Sequence, residues 1–201
     1  MKNKSLLLIF AKNITLSKVK TRLAQAEGDA FALDVYKKLV AITETESLKL
    51  QDTDIHVYFT EAIVDTPWTG KEKFIQSEGD LGVRMGTAFK HGFDLGYERI
   101  IGIGTDLPDL NAEIMTEALD ILHLKDTVFG KAEDGGYYLI GMNQWIPQVF
   151  ENKPWSTESL LKITLNELES LGFSSSTLQT LNDIDTIDDL KASWLGAEFR
   201  V

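Results

Sequence analysis

The 201-residue chain contains no cysteine, which excludes disulfides, zinc fingers, iron–sulfur clusters and a thiol nucleophile together. Its three histidines, His56, His91 and His123, lie far apart without ligand spacing, so a zinc site has no support. Basic residues are in deficit, 20 against 31 acidic, and the formal charge of -11 disfavours non-specific binding to nucleic acid or to an anionic membrane. No apolar stretch approaches the roughly 20 residues of a membrane span. The run from Ser5 to Ala11 is cut off by Lys12 and Asn13, and no small-residue cleavage site follows it, unlike a secretory signal. A cytoplasmic protein is expected. The Walker A loop, the G-x-G-x-x-G turn and the G-x-S-x-G elbow are all missing, so three common phosphate and acyl-transfer signatures are excluded. There is no repeat, low-complexity tract or Pro/Ser-rich linker. One domain over residues 1–201 is therefore expected, long enough to bury a core without staples.

What is present alternates. Leu6-Leu7-Leu8-Ile9-Phe10 reads as a buried parallel strand. Residues 30–50 carry Phe31, Leu33, Val35, Tyr36, Leu39, Val40 and Ile42 at helical spacing. Strands are expected at 55–60, 73–76, 99–104, 127–130, 137–142 and near Thr177, and helices at 81–96, 111–122 and 156–171. Thr186 followed by Asp189 forms a capping box for a short terminal helix. The pattern predicts a three-layer α/β/α domain with a mostly parallel mixed sheet. In such sheets ligands bind beyond the carboxyl ends of the strands, which directs attention to the loops after Ala11 and Gly104.

Four constellations could carry chemistry. Residues 1–26 hold Lys2, Lys4, Lys12, Lys18, Lys20 and Arg22 and no acid. Lys2 and Lys4 read as solvated surface charge, whereas Lys12, Lys20 and Arg22 follow the first strand, where cations can grip phosphate oxygens or else serve only as ordinary surface charge. In the second, Gly104-Thr105-Asp106-Leu107-Pro108, an aspartate ends a hydrophobic strand. It could hold Mg²⁺ or Mn²⁺ against a diphosphate, or serve only as a turn residue. Glu133-Asp134-Gly135-Gly136 reads first as a hairpin turn, and otherwise as a close backbone approach to a ligand. Asn182-Asp183-Ile184-Asp185 reads as ordinary acids before a helix. Trp155 stands apart from the other, core-like aromatics, in a polar Pro-Trp-Ser-Thr turn.

Taken in order, Phe10-Ala11-Lys12, Val19-Lys20-Thr21-Arg22-Leu23-Ala24, the stretch from Gly79 to Met85, Gly104-Thr105-Asp106-Leu107-Pro108, Asp134-Gly135-Gly136-Tyr137-Tyr138 and Asp185-Thr186-Ile187-Asp188-Asp189-Leu190 resemble the nucleotide-diphospho-sugar transferase superfamily with its GT-A-type fold. More narrowly, the set is similar to DUF2064, a glycosyltransferase-like family of bacterial proteins, and more distantly to phospholactate guanylyltransferases. The resemblance implies that Asp106 and Asp185 bind Mg²⁺ or Mn²⁺ and that Lys12, Lys20 and Arg22 contact nucleotide phosphates. It implies that Ala11, Gln76, Asp80, Gly82 and Thr105 belong to the nucleotide site. Asp134, Gly135, Gly136 and Trp155 would face the acceptor or sugar, with Asp134 as general base and Lys20 and Arg22 assisting departure of the diphosphate.

Two departures stand against this set. The Gly-Gly-x-Ser-x-Arg-Met-Gly loop of sugar nucleotidyltransferases is missing after the first strand, and so is the Asp-x-Asp of many glycosyltransferases. Three readings result: a metal-dependent glycosyltransferase using a nucleotide-sugar, a nucleotidyltransferase releasing pyrophosphate, and a nucleotide-binding protein without chemistry. Each takes a small-molecule partner and neither nucleic acid nor membrane. The base, sugar, acceptor and oligomeric state are left open.

Overall fold

The computed structural model describes residues 4–201, and Lys2 lies outside the described residues. The apolar run at the start forms β1 (Ser5–Ala11), in which Leu6, Leu7, Leu8 and Ile9 are fully buried. Both faces of this strand are covered, as its unbroken hydrophobicity requires. It pairs in parallel with β2 (Thr53–Phe59) on one side and with β4 (Arg99–Ile103) on the other. β3 (Glu72–Ile75) extends the sheet beyond β2, again in parallel. β6 (Tyr137–Met142) runs antiparallel to β4 and forms a hairpin with β5 (Thr127–Ala132), and β7 (Ser175–Leu181) lies parallel to β5 at the far edge. The seven-stranded order is β3-β2-β1-β4-β6-β5-β7. The seven strands are those expected from the sequence, in the expected mostly parallel mixed sheet.

Helices cover both faces. α2 (Asp29–Ser47) and α4 (Ala112–Ile121) pack on one, through Tyr36, Val40, Ile114 and Met115 against Leu7, Ile9 and Val57. α3 (Leu81–Asp94) and α5 (Leu160–Ser170) pack on the other, through Met85, Phe89, Leu161 and Leu168 against Leu6, Leu8 and Ile100. α1 (Thr21–Glu27), α6 (Ile187–Ala192) and α7 (Trp194–Phe199) enclose a third cluster around Leu23, Leu39, Leu190 and Leu195 outside α2. The capping box at Thr186 and Asp189 is present. Among the described residues no helix is long and apolar enough to cross a membrane.

Three elements differ from expectation. The basic stretch after β1 contains a helix, α1, whose seven residues bury one apolar side chain, Leu23, too few for a periodic signal. α5 begins at Leu160 rather than near Ser156, because a turn carrying Ser156 at φ +61° precedes it. A second terminal helix, α7, follows α6 after Ser193.

The strand order reverses between β1 and β4, the switch point where open α/β sheets bind ligands. The loops after β1, β4 and β7 and the β5–β6 hairpin turn all leave the same edge of the sheet. That shared edge brings the sequence's distant polar motifs into one neighbourhood.

α3 sits close on the sheet at Gly92, where a Cβ would lie 2.6 Å from Ile100 and 2.8 Å from Leu6. Alanine would gain about 1 kcal/mol of helix propensity, but overpacking two fully buried side chains costs roughly 1–3 kcal/mol. Gly92→Ala should therefore lower the unfolding free energy despite its helix preference. Chemical denaturation checks this.

Candidate active site

The loop after β1 ends in strained backbone. Lys20 sits at φ +48° and ψ +49° immediately before α1, a left-handed conformation that costs a non-glycine residue about 1–3 kcal/mol. Its side chain is only 3% exposed, with Nζ 2.5 Å from Asp106 Oδ1 and 3.2 Å from Asp185 Oδ1. Burial alone would lower the ammonium's pKa, but the two carboxylates outweigh it and hold the group above its ordinary value of 10.5. Lys20 is thus a fixed positive charge joining the loops after β4 and β7. The Ile184 amide adds a second link, donating to the Asp106 carbonyl at 3.0 Å. Arg22 stands 3.7 Å from Asp185 on the solvent side, 74% exposed, where an ion pair contributes little.

Tyr36, buried on α2, fastens the same loops from below. Its hydroxyl donates to the Lys12 carbonyl (3.0 Å), accepts from the Lys12 amide (2.9 Å), and lies 3.0 Å from Thr105 Oγ1. Burial pushes the phenol up to about 12, so it remains protonated. The start of the basic loop and the end of β4 are therefore held together by one side chain.

Above these residues lies a cleft of about 370 Å³. Ala11, Lys12, Gln76, Thr105, Asp106, Asp134, Gly136 and Trp155 line it, with Asp183 beside Asp106. Lys20, Arg22, Asp80, Gly82, Gly135 and Asp185 lie outside its lining. Lys20 and Asp185 still reach it through Asp106. Asp80 caps α3, accepting the Val83 amide at 2.9 Å. Gln76 Nε2 donates to the Tyr58 carbonyl at 3.0 Å. Gly82 and Gly135 admit the chain itself: a Cβ on Gly82 would lie 2.6 Å from the Phe150 carbonyl oxygen and 2.8 Å from Trp155 Nε1, and one on Gly135 2.2 Å from the Glu158 carbonyl oxygen. Both glycines thus seat the segment that carries Trp155 and forms a wall of the cleft.

The model of a family described as "Uncharacterized protein conserved in bacteria (DUF2064)" matches residues 43–157, more than half of the chain. The chain belongs to the DUF2064 family. Among solved structures it is similar to a candidate nucleotide-diphospho-sugar transferase from Desulfovibrio desulfuricans G20, at 30% identity and a TM-score of 0.87 over 98% of this chain and 94% of that one. The fold is also that of 4-diphosphocytidyl-2C-methyl-D-erythritol synthase from Anaerococcus prevotii DSM 20548, with TM-score 0.62, 10% identity and coverage of 100% and 98%. Rv0371c from Mycobacterium tuberculosis H37Rv, solved in complex with manganese, matches with TM-score 0.55 and 12% identity over 94% and 97% of the two chains. No curated protein matches.

The DUF2064 chain also places around the cleft groups that the sequence did not mark as site residues. Tyr36 fits the apolar period of α2 and carries no separate signal. Asp183 faces the cleft; burial, then the charge of Asp185, raises its carboxyl above the ordinary 3.8. Asp189 supports this loop beyond its capping role. Its Oδ2 accepts the Asp185 amide (3.1 Å), the Thr186 amide (2.7 Å) and the Thr186 hydroxyl (2.7 Å), and Oδ1 accepts from Asn182 (3.3 Å). Burial opposes the charge of Asp189, but these hydrogen bonds outweigh it and depress its pKa below the ordinary 3.8. A depressed carboxylate stabilises above the unfolded-state pKa and ceases to do so as pH falls through the folded value. Asp189→Ala should cost about 1–2 kcal/mol at pH 7, and the difference from wild type should shrink below pH ~3.8. Urea unfolding at several pH values measures it.

Proposed function

We propose that the chain is a nucleotide-dependent transferase. The nucleotide lies over the carboxyl edge of β1 and β4, a nucleotide-sugar is the donor and a small molecule the acceptor. The observation that carries this reading is the buried Lys20 ammonium held between Asp106 and Asp185 beside a cleft at the switch point. An ammonium has three donors; two are directed at carboxylates here, and a phosphate oxygen that reached past Asp106 would take the third. Lys12, on the cleft wall, supplies a second cation. The similarity to a candidate nucleotide-diphospho-sugar transferase at 30% identity supports the donor class.

The donor set suits a hard divalent cation. Two carboxylates separated by the width of an ammonium contact offer oxygen ligands, and Asp183 adds a third carboxylate nearby. Among the described residues no cluster of three or more ligating side chains forms a metal cage. A cation held by these residues would therefore draw its remaining oxygen ligands from substrate phosphates and water, as Mg²⁺ does where one or two carboxylates bind it. Asp106 and Asp185 would hold Mg²⁺ or Mn²⁺, which when bound supplies charge neutralisation of a diphosphate. The manganese complex of Rv0371c supports this choice of ion class.

The remaining chemistry belongs to the chain's own residues. Carboxylates outnumber cations around Asp183, so a phosphate is admitted only beside compensating positive charge. Lys20 orients the diphosphate, and Asp134 takes the proton of an acceptor hydroxyl. The acceptor oxygen bonds to the anomeric carbon, and the bond from that carbon to the diphosphate oxygen breaks. A second reading, nucleotidyl transfer with pyrophosphate release, is favoured by the fold shared with a diphosphocytidyl-methylerythritol synthase and by Lys20-Thr21-Arg22-Leu23.

Product analysis tests the assignment. Metal-dependent release of a nucleoside diphosphate from UDP-glucose, GDP-mannose or another nucleotide-sugar is expected. Asp134→Asn should lower turnover by about 10²–10⁴-fold with little change in nucleotide-sugar affinity. Pyrophosphate release from a triphosphate and a sugar phosphate would establish the second reading. Turnover of neither substrate class would contradict both.

A further inference from the structure

Adjacent tyrosines on β6 have opposite fates. Pairing with β5 sets Leu139 opposite Gly130 and Tyr137 opposite Lys131, so the register slips and Tyr138 is the extra residue of a bulge. Bulges re-aim side chains and occur often beside active sites. Tyr138 turns into the core shared with α4, and its hydroxyl donates to the Gln179 carbonyl at 3.1 Å. Tyr137 turns to the opposite face of the sheet, against Phe129 at 5.3 Å and Trp155 at 6.3 Å between ring centroids. Its hydroxyl is buried and has no hydrogen-bond partner among the described residues. Phenylalanine would fill the same apolar surroundings without that unpaired group, whose burial opposes folding. The fold therefore gives no reason for the hydroxyl, and Tyr137 is among the residues that line the cleft. Burial also raises the phenol's pKa, so it is a proton donor throughout the neutral range.

The surroundings define what it would meet. Trp155 and Leu160 present apolar surface on this side of the cleft, and Asp134 presents a carboxylate acceptor. A pyranose ring fits that combination: its C–H face lies on aromatic surface, and its hydroxyls both donate to a carboxylate and accept from a phenol. The sheet order puts this subsite over β6, on the far side of Asp106 from Lys12 and Gln76. We infer that Tyr137 is a specificity residue for the glycosyl group, donating a hydrogen bond to a sugar hydroxyl in the subsite bounded by Trp155 and Asp134. The inference rests on the proposed nucleotide cleft but not on which transfer occurs, since the sugar could arrive on a nucleotide or as a sugar phosphate.

Tyr137→Phe tests it on the intact chain in two measurements. Without ligand, its unfolding midpoint should equal or exceed that of wild type. A fall of about 2 °C or more, the size expected for one lost hydrogen bond in a chain of this length, would show that the fold itself uses the hydroxyl and would overturn the inference. Calorimetric titrations then compare UDP-glucose and GDP-mannose with UDP and GDP, and glucose 1-phosphate and mannose 1-phosphate in the presence of nucleoside triphosphate, all with Mg²⁺. The variant should bind at least one sugar-bearing probe about 10- to 100-fold more weakly while UDP and GDP are unaffected. Loss confined to nucleotide-sugars identifies the donor as the source, and loss confined to sugar phosphates identifies the acceptor. Unchanged affinity for every sugar-bearing probe that binds wild type, or wild-type binding of no sugar-bearing probe, would overturn the inference with nucleotide binding intact. Binding of no nucleotide at all would overturn the cleft assignment and this inference with it.

Discussion

The buried ammonium of Lys20 is the constraint around which the rest of the site is arranged. Three loops from β1, β4 and β7 meet at it, and the Lys20 and Asp185 positions it joins are 165 residues apart. An ion pair of this kind is a poor device for stability, because desolvation offsets most of the attraction and a well-packed apolar replacement often does as well. Removing one partner would still leave a buried ammonium short of a carboxylate, although the 34% and 46% exposure of the two aspartates lets solvent screen part of that cost. The left-handed backbone of Lys20 adds a local cost in the same place. Two unfavourable features coinciding at a sheet's switch point are better explained by ligand binding than by folding.

Its neighbours serve mainly to hold it in place. Tyr36 ties the Lys12 backbone to Thr105 beneath the cleft. Asp189 gathers the amides of Asp185 and Thr186, fixing the loop that offers Asp183 and Asp185. On the opposite side, Gly82 and Gly135 let the segment from Trp155 to Glu158 press against α3 and the hairpin turn, and the amide of Leu161 donates to the Gly135 carbonyl at 3.2 Å. One side of the cleft is therefore charged and the other aromatic, each backed by rigid elements. That asymmetry suits the proposed substrate, which has a phosphorylated end and a carbohydrate end.

The architecture was largely legible in the sequence because burial leaves a periodic trace. Continuous apolar runs marked β1 and β4, helical spacing marked α2 and α3, and the Thr186–Asp189 pair marked the start of α6. α1 and α7 left too few buried residues to register. Of the site, Asp106 and Lys20 stood out by position after a strand and by resemblance, Asp185 by resemblance alone, and the structure brings these three together. Tyr36 escaped notice because a staple on a helix shares the period of the core. Tyr137 escaped because its direction depends on a bulge, and a bulge changes pairing without changing composition. Gly135 was read as ligand approach or hairpin turn. Nothing local to it reveals that the backbone of Glu158, 23 positions on in the chain, fills the space above it.

The most direct test of the account is thermal unfolding of wild type and Asp106→Ala with nucleoside triphosphates and nucleotide-sugars, each with Mg²⁺ or Mn²⁺ and with a chelator. A ligand at about 100 times its dissociation constant stabilises by about 2.7 kcal/mol, a rise of several degrees for a chain of this size. The account predicts such a rise for wild type only when metal and nucleotide are present together, and its loss in Asp106→Ala. A nucleotide-induced rise that survives both the chelator and the substitution would contradict it.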